Sequence, residues 1–323
     1  MMRALVTATA TDSATYDAQD RLTSRGVMAT GYTRYTYTAA GELRSVISGS
    51  NVTRLEYDPL GNLVRDTLAS GDIVQYSSDG AGRRVGRRMN GAWSGGWVYQ
   101  NALNVAGELD QSGAVIRRYV YGVEPHVPAL MLEGSATYRL ITDQLGSVRG
   151  VVDVSSGAIV QKRDYDAWGV VTLSSGTNTQ ALGYAGGLSD ASTSLVRFGA
   201  RDYDPVAGRW TAKDPVGFGG GDANLYCYGV SEPVNHLDPD GKEVVLAVVG
   251  AVLGGSLNAV HNYRAYASGS ITGARYAESI AFGAGAGALS GLVPGVGGVI
   301  ASSALAGLNE ANNEASSRDV LSL

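Results

Sequence analysis

Alternating polar and apolar positions recur along the first 230 residues and predict β-strands. The segments Tyr35-Thr-Tyr37 and Arg117-Arg-Tyr-Val-Tyr121 show this period of two, and Tyr, Thr and Val are residues that favour strands. No long stretch with helical periodicity occurs between residues 10 and 230. The pattern therefore predicts a mainly β fold for this part of the chain.

A unit of about 20 residues repeats within this region. Aligning Tyr16-Asp17 with Tyr37-Thr38, Tyr57-Asp58 and Ser78-Asp79 gives steps of 21, 20 and 21 residues. The unit reads Tyr-Asp-x-x-Gly-(polar)-Leu, and it returns less regularly at Asp143–Val148. Asp at the start of a turn bonds the nearby backbone, and Gly accepts a positive φ, so each unit predicts a β-hairpin. A unit this short cannot bury a face alone, so the hairpins must stack into a continuous sheet. A solenoid, a propeller and a sandwich all remain open.

The last eighty residues have a different pattern. Residues 244–263 and 279–309 carry no formal charge. Gly283, Gly287, Gly291 and Gly295 recur every four positions, which places small residues on one helical face and lets another helix approach closely. We therefore predict an α-helical, Gly/Ala-rich segment with a glycine-zipper stripe over residues 243–323. Membrane-inserting helices, a packed helical hairpin and a toxin fragment are alternative interpretations of this segment.

Composition excludes several classes of protein. The chain has 323 residues, 44% of them hydrophobic, and a net charge of −5, so no basic surface for nucleic acid is predicted. One cysteine excludes an internal disulfide framework and a multi-cysteine zinc site, and the three histidines are scattered. We predict no metal and no cofactor. The first 25 residues lack the apolar stretch of a secretory signal.

Longer motifs carry a resemblance to a known family. Tyr57-Asp-Pro-Leu-Gly-Asn-Leu63 and Tyr165-Asp-Ala-Trp-Gly169 resemble the YD repeats of Rhs proteins and of the C component of Tc toxins. An ordered series of further motifs resembles the Rhs repeat-associated core domain: residues 183–188, 195–205, 208–217, 224–226 and 233–241. The resemblance covers about residues 10 to 242.

The resemblance implies an architecture and a role. Rhs repeats coil a long sheet into a hollow shell, the core domain plugs the C-terminal end of the shell, and a variable segment, usually a toxin, is held inside until delivery. On this basis residues 1–172 are repeats, 173–242 are the core domain and 243–323 are the variable tip. We expect the C-terminal part of an Rhs-type polymorphic toxin that encapsulates or presents cargo. The alternatives are a non-toxic cell-surface adhesion protein and a degenerate orphan fragment.

Partners and location follow from the same resemblance. The implied partners are an upstream Rhs repeat shell or a secretion apparatus, an immunity protein, and a membrane contacted by residues 243–323. The implied location is secreted or cell-surface, reached without a signal peptide, with the tail at a membrane. Nucleic acid is not among the expected partners.

Two aspartates of the core domain are candidate catalytic groups. Asp214-Pro-Val-Gly217 and Asp238-Pro-Asp-Gly241 resemble the motifs that supply acids for aspartyl-type self-cleavage in this family. Two carboxyl groups held together cannot both ionise cheaply, so one can activate water while the other, protonated, polarises the scissile carbonyl. The resemblance places the cut after Lys242. Asp222 and Asp240 are the reserve candidates for the catalytic acids. Lys213 and Arg209 are the expected supporting residues.

The competing interpretation of these motifs is a structural turn. Asp58-Pro-Leu-Gly61 is the same kind of string inside an ordinary repeat, and Asp-Pro-x-Gly forms turns without any catalysis. No dense group of His, Asp, Glu or Cys occurs between residues 243 and 323. The only enzymatic activity we expect is therefore the self-cleavage.

Overall fold

The structure is a computed structural model that describes residues 4–7, 10–122, 126–176 and 180–242. The predicted mainly β fold is confirmed. The predicted helical, Gly/Ala-rich segment 243–323 lies outside the described residues, as does its predicted membrane contact. Within the described ranges, no helix has both the length and the apolar character needed to cross a bilayer.

Seventeen strands of the described chain form one large antiparallel sheet. Each strand pairs with the next strand along the chain, as expected for stacked hairpins. The strands are β1 (Ala4–Thr7), β2 (Ala10–Tyr16), β3 (Leu22–Val27), β4 (Gly31–Tyr37), β5 (Leu43–Ser48), β6 (Asn51–Tyr57), β7 (Leu63–Thr67), β8 (Ile73–Ser78), β9 (Arg84–Met89), β10 (Ala92–Tyr99), β11 (Val105–Leu109), β12 (Val115–Tyr121), β13 (Pro128–Glu133), β14 (Ala136–Thr142), β15 (Val148–Asp153), β16 (Ile159–Tyr165) and β17 (Val171–Gly176).

The turn chemistry read from the repeat unit is confirmed. Oδ1 of Asp58 accepts hydrogen bonds from the backbone N–H groups of Leu60 (2.8 Å) and Asn62 (2.9 Å), and Gly61 has a φ of +84°. Thr38 replaces the aspartate in one unit, and its hydroxyl accepts from two backbone N–H groups of the turn in the same way. Because the acceptor satisfies backbone donors that a tight turn would otherwise leave free, the hairpin reverses within four residues.

The strand register shifts immediately before the first residue of most units. The shift separates Thr36 from Tyr37, Glu56 from Tyr57, and Val98 from Tyr99, and it recurs in other hairpins. A bulge of this kind re-aims the side chain that follows it. In several units that tyrosine hydroxyl donates to a backbone carbonyl of the preceding repeat, for example Tyr99 to Arg84 at 2.8 Å. Neighbouring repeats are thus joined by side chains as well as by the sheet.

A second, smaller sheet follows the large one. It consists of β18 (Leu188–Ser189), β19 (Val196–Phe198), β20 (Arg201–Asp204) and β21 (Arg209–Trp210), with short 3₁₀ turns at Tyr184–Gly186, Gly217–Gly220 and Gly229–Ser231. Residues 173–176 lie in β17 and pair with β16. We call residues 180–233 and 238–242 the core segment.

The core segment has an aromatic interior and also covers the large sheet. The rings of Phe198, Tyr203, Trp210 and Tyr228 lie within 6.3 Å of one another, centroid to centroid. Three leucines of the core segment join two apolar clusters of the large sheet: Leu182, Leu188 and Leu195. The apolar face of the hairpins is therefore buried by the core segment as well as by neighbouring repeats.

Turns of four hairpins present backbone carbonyls to the core segment. Arg209 Nη2 donates to the carbonyl of Asp20 at 2.6 Å, and the Tyr226 hydroxyl donates to that of Gly41 at 2.6 Å. Two further contacts are Arg197 Nη2 to Gly82 O (3.0 Å) and the Tyr203 hydroxyl to Trp168 O (2.8 Å). The core segment is thus held at the fifth residue of three of the four aligned units, and at one later turn.

We predict that a glycine at a docked turn matters more than one at a free turn. Gly169 and Gly61 both have positive φ, so alanine at either position costs about 1 kcal/mol of backbone strain. A Cβ at Gly169 would lie 2.5 Å from the Tyr184 ring, whereas one at Gly61 meets nothing within 4 Å. In urea unfolding, Gly169→Ala should therefore lower the free energy of unfolding by about 1–3 kcal/mol more than Gly61→Ala does. Equal losses would show that the core segment does not press on this turn.

Candidate functional site

Both candidate aspartates begin turns of the same kind as those in the repeats. Oδ1 of Asp214 accepts from the N–H of Val216 at 2.9 Å, and Oδ1 of Asp238 accepts from the N–H of Lys242 at 3.0 Å. Gly217 and Gly241 have positive φ. Oδ1 of each aspartate therefore stabilises a turn, as the structural interpretation of the two motifs predicts.

The second oxygens of the two aspartates meet at one arginine. Arg201 Nη2 lies 2.8 Å from Asp214 Oδ2 and 2.9 Å from Asp238 Oδ2. In the repeat turn at Asp58, the corresponding Oδ2 instead accepts from the side chain of Asn62 at 3.0 Å. The same type of turn thus stabilises a hairpin at Asp58, whereas at Asp214 and Asp238 it also brings two carboxyl groups to one arginine. Arg201, Asp214 and Asp238 are all largely buried, with 4%, 9% and 1% of their side chains exposed.

Gly220 adjoins both Asp214 and the expected cleavage position. A Cβ built at Gly220 would lie 2.6 Å from Asp214 Oδ2 and 2.8 Å from the carbonyl oxygen of Lys242. Both oxygens therefore border the same small space, which is open only because residue 220 has no side chain. Sequence reasoning missed Gly220, although it lies in a run of three glycines between the two motifs.

Burial alters the protonation of the acid pair. It raises the pKa of Asp238 to about 7, with Arg201 opposing the rise and Asp240 adding to it. Burial also raises the pKa of Asp214, again opposed by Arg201. Asp238 therefore keeps its proton to near-neutral pH, which is the condition that a two-carboxylate mechanism requires.

The other predicted residues occupy different places. Asp240 Oδ1 accepts from the N–H of Lys242 at 3.0 Å, so it borders the acid pair. Asp222 Oδ1 accepts from the N–H of Asn224 at 2.8 Å. Lys213 Nζ donates to the side chain of Gln19 at 3.2 Å. Arg209 holds a repeat turn, as described above, and the arginine that contacts the acids is Arg201.

A second buried acid cluster joins the core segment to the large sheet. Asp202 pairs with Arg84 at 2.9 Å and with Arg197 at 3.0 Å, and Asp190 pairs with Arg87 at 2.7 Å. Nearby Asp66 is 2% exposed, and its Oδ1 has no hydrogen-bond partner among the described residues. Burial raises the pKa of Asp66 to about 7, helped by the negative charges of Asp190 and Asp202. Because its ion pairs join strands of the large sheet to the core segment, we assign this cluster to the fold.

No metal centre emerges from the part of the chain that the structure describes, since no group of His, Cys, Asp and Glu there has the arrangement of a ligand set.

Cys227 is half-buried, and its Sγ lies 3.2 Å from the Ser231 hydroxyl. Burial raises the pKa of this thiol to about 11, which disfavours the thiolate that a nucleophile needs.

A long run of hairpins with Tyr-Asp turns, covered by a core segment whose turns carry paired acids, defines a YD-repeat protein of the Rhs class. The profile of the family described as Teneurin YD-shell matches residues 3–220. The chain belongs to this family.

Individual relatives agree with this assignment. Teneurin-3 of Danio rerio is 30% identical over 237 residues, covering 69% of this chain and 8% of that protein. The tRNA3(Ser)-specific nuclease WapA of Bacillus spizizenii is 32% identical over 200 residues, covering 59% of this chain and 8% of that protein. The chain therefore spans less than a tenth of the length of these curated relatives.

A solved structure shares the fold. The crystal structure of TcdB2-TccC3 is similar with a TM-score of 0.51 and 24% identity, over 72% of this chain and 14% of that chain. At this identity, the likeness concerns the fold alone.

We predict that Asp66 makes stability pH-dependent. Because its pKa rises from 3.8 to about 7 on folding, the folded chain binds this proton more tightly than the unfolded chain. Stability from this group is therefore lost as pH rises from about 4 to 7, by up to about 4 kcal/mol. In urea unfolding, the free energy of unfolding of Asp66→Asn should equal that of the parent at pH 4 and exceed it above pH 7. A parent-variant difference that does not grow with pH would contradict this.

Proposed function

We propose that this chain is part of a toxin-related YD-repeat protein that cuts its own backbone after Lys242 and so frees residues 243–323. The observation that carries the proposal is the position of Asp214: it shares Arg201 with Asp238 and shares the space at Gly220 with the Lys242 carbonyl. A turn that served only the fold would not need a buried acid pair beside the next peptide bond. The same arrangement favours this function over the surface-adhesion alternative, which requires no acids at this position.

The geometry supports a division of roles. Asp214, ionised, borders the Lys242 carbonyl and takes a proton from the attacking water, whose oxygen bonds the carbonyl carbon. Asp238 is the protonated member, since its pKa is raised to about 7, and it also holds the N–H of Lys242 through Oδ1. The bond between the Lys242 carbonyl carbon and the nitrogen of residue 243 then breaks, and the departing amine takes a proton from the acid pair.

The relatives support a proposal for the wider setting of the chain. WapA is named as a nuclease, and the solved structure that shares this fold joins TccC3 to TcdB2. We therefore propose that further YD repeats or another toxin component form the partner, and that the protein is secreted or displayed at a cell surface. The freed segment is the cargo, or the part that leads the cargo to a membrane.

We predict that both aspartates are required for the cut. The parent chain should lose residues 243–323, whereas Asp214→Asn and Asp238→Asn should stay intact, since asparagine keeps the turn acceptor but cannot carry the proton. Intact-mass measurement after expression reads the outcome. Asp58→Asn is the matched control, because it alters the same kind of turn in a repeat, and it should be cut like the parent. Four intact chains would refute self-cleavage, and four cut chains would refute the requirement for the aspartates.

We predict that cleavage also depends on the space left by Gly220. Alanine at 220 would place a methyl group against Asp214 Oδ2 and the Lys242 carbonyl, whereas a Cβ at the neighbouring Gly219 meets nothing within 4 Å. Neither glycine has a positive φ, so the pair compares contact rather than backbone strain. Gly220→Ala should slow the cut by on the order of 100-fold, since a displacement of about 1 Å can have that effect. Gly219→Ala should be cut at the parent rate, and equal rates for the two variants would argue against the site.

A further inference from the structure

The strand register divides the side chains of the large sheet between two faces. Tyr119 and Met131 pair across β12 and β13, and both belong to the buried cluster that includes Leu182 of the core segment. They therefore lie on the face that the core segment covers. Arg118 and Val120 flank Tyr119 in β12, and successive residues of a strand point to opposite faces. These two residues therefore lie on the other face, which we call the outer face.

Three rows of paired residues cross the outer face, and each row places an apolar residue two strands before a basic one. Residues that pair directly across two strands share a face. The rows are Val98, Gly107 and Arg118; Val120, Leu130 and Arg139; and Ile141, Gly150 and Lys162. Each row begins two strands, or one hairpin, after the row before it. The apolar and the basic residues thus form two parallel diagonals, and we call the nine residues the outer patch.

The apolar diagonal is exposed to solvent. Val98, Val120 and Ile141 are 41%, 42% and 42% exposed. Ile159 extends the second row beyond Arg139 and is 68% exposed. Single exposed apolar residues are ordinary, whereas a group of them on one face marks a surface that contacts a partner.

The basic diagonal gives the same surface an excess of positive charge. Neighbouring strands lie about 4.8 Å apart and residues i and i+2 about 7 Å apart, so Arg118, Arg139 and Lys162 follow one another at about 12 Å. All three are exposed. Asp164 lies beside them: its Oδ2 is 3.7 Å from Lys162 Nζ, and its Oδ1 accepts from Arg149 Nη2 at 2.9 Å. Four cations thus face one acid, on a chain whose net charge is −5.

We propose that the outer patch binds the surface of a bilayer that contains anionic lipids. The basic side chains contact the charged headgroups, and the apolar side chains enter the boundary between headgroups and acyl chains. A nucleic acid would bind the basic diagonal but would leave the aliphatic side chains without a partner, since bases stack on aromatic rings. A lipid surface uses both diagonals. This binding is independent of the self-cleavage and of residues 243–323.

Co-sedimentation of the full chain with phosphatidylcholine vesicles, with and without phosphatidylserine, tests the proposal. The chain should bind the vesicles that contain phosphatidylserine, and binding should weaken as salt screens the charges. A triple variant, Arg118→Gln with Arg139→Gln and Lys162→Gln, should bind on the order of 100-fold more weakly, because each basic residue near such a surface contributes about fivefold.

A second triple variant is the matched control for charge. Arg34→Gln, Arg44→Gln and Arg54→Gln remove the same charge from exposed positions on β4, β5 and β6, which lie at least four strands from the outer patch. This control should lose less than about tenfold, because its charges lie away from the bound surface. Urea unfolding checks that each variant folds.

The apolar diagonal has its own test. Val98→Thr with Val120→Thr keeps the shape and the strand preference of both side chains but makes them polar. Vesicle binding should weaken by on the order of tenfold, whereas binding to a DNA duplex would be unaffected by this change.

The outcomes decide the proposal. No binding to vesicles, equal binding with and without phosphatidylserine, or equal losses in the two triple variants would each overturn it. Binding to a DNA duplex and not to vesicles would assign the outer patch to nucleic acid and overturn the lipid surface. Every variant keeps residues 243–323, so a membrane contact made by that segment alone would leave binding unchanged in all of them, and this too would overturn the inference.

Discussion

One local interaction recurs through the whole structure: a side-chain oxygen at the first position of a turn accepts backbone N–H groups, and a residue with positive φ closes the turn. The aspartate of each repeat, or Thr38 in its place, ends a hairpin in this way. Because the turns recur at a nearly constant spacing, the hairpins pair into one sheet and their carbonyls are available to the core segment. Without the turn, neither the sheet nor its contact with the core segment would be specified.

The core segment is joined to the sheet through buried ion pairs, and these pairs determine the position in which it packs. Asp202 lies between Arg84 and Arg197, and all three are at most 4% exposed. Removing one member of a buried pair leaves an uncompensated charge and costs about 3–5 kcal/mol. The core segment can therefore occupy only the position in which each arginine meets its acid, and that position also brings the Asp214 and Asp238 turns to Arg201.

Much of the fold could be predicted from the sequence, and less of the site. Alternation and the repeat spacing predicted the strands, because both are local properties of the chain. The motif at Asp58 could not be told from that at Asp214, since both form the same turn and differ only in what meets Oδ2. That partner is Asn62 in one case and Arg201 in the other, and tertiary structure decides which. The acid Asp66 was missed because nothing in a polar strand residue reveals that its carboxylate is buried.

The central claim is that repeat turns hold the core segment, and a double-mutant cycle tests it without relying on cleavage. Arg197 Nη2 donates to Asn62 Oδ1 at 2.9 Å, joining the core segment to a turn through two buried side chains. Urea unfolding of Asn62→Ala, Arg197→Lys and the double variant gives the coupling between them. The account predicts a coupling of about 1 kcal/mol or more. Effects that add to within about 0.5 kcal/mol would mean that the two residues do not meet, and would contradict it.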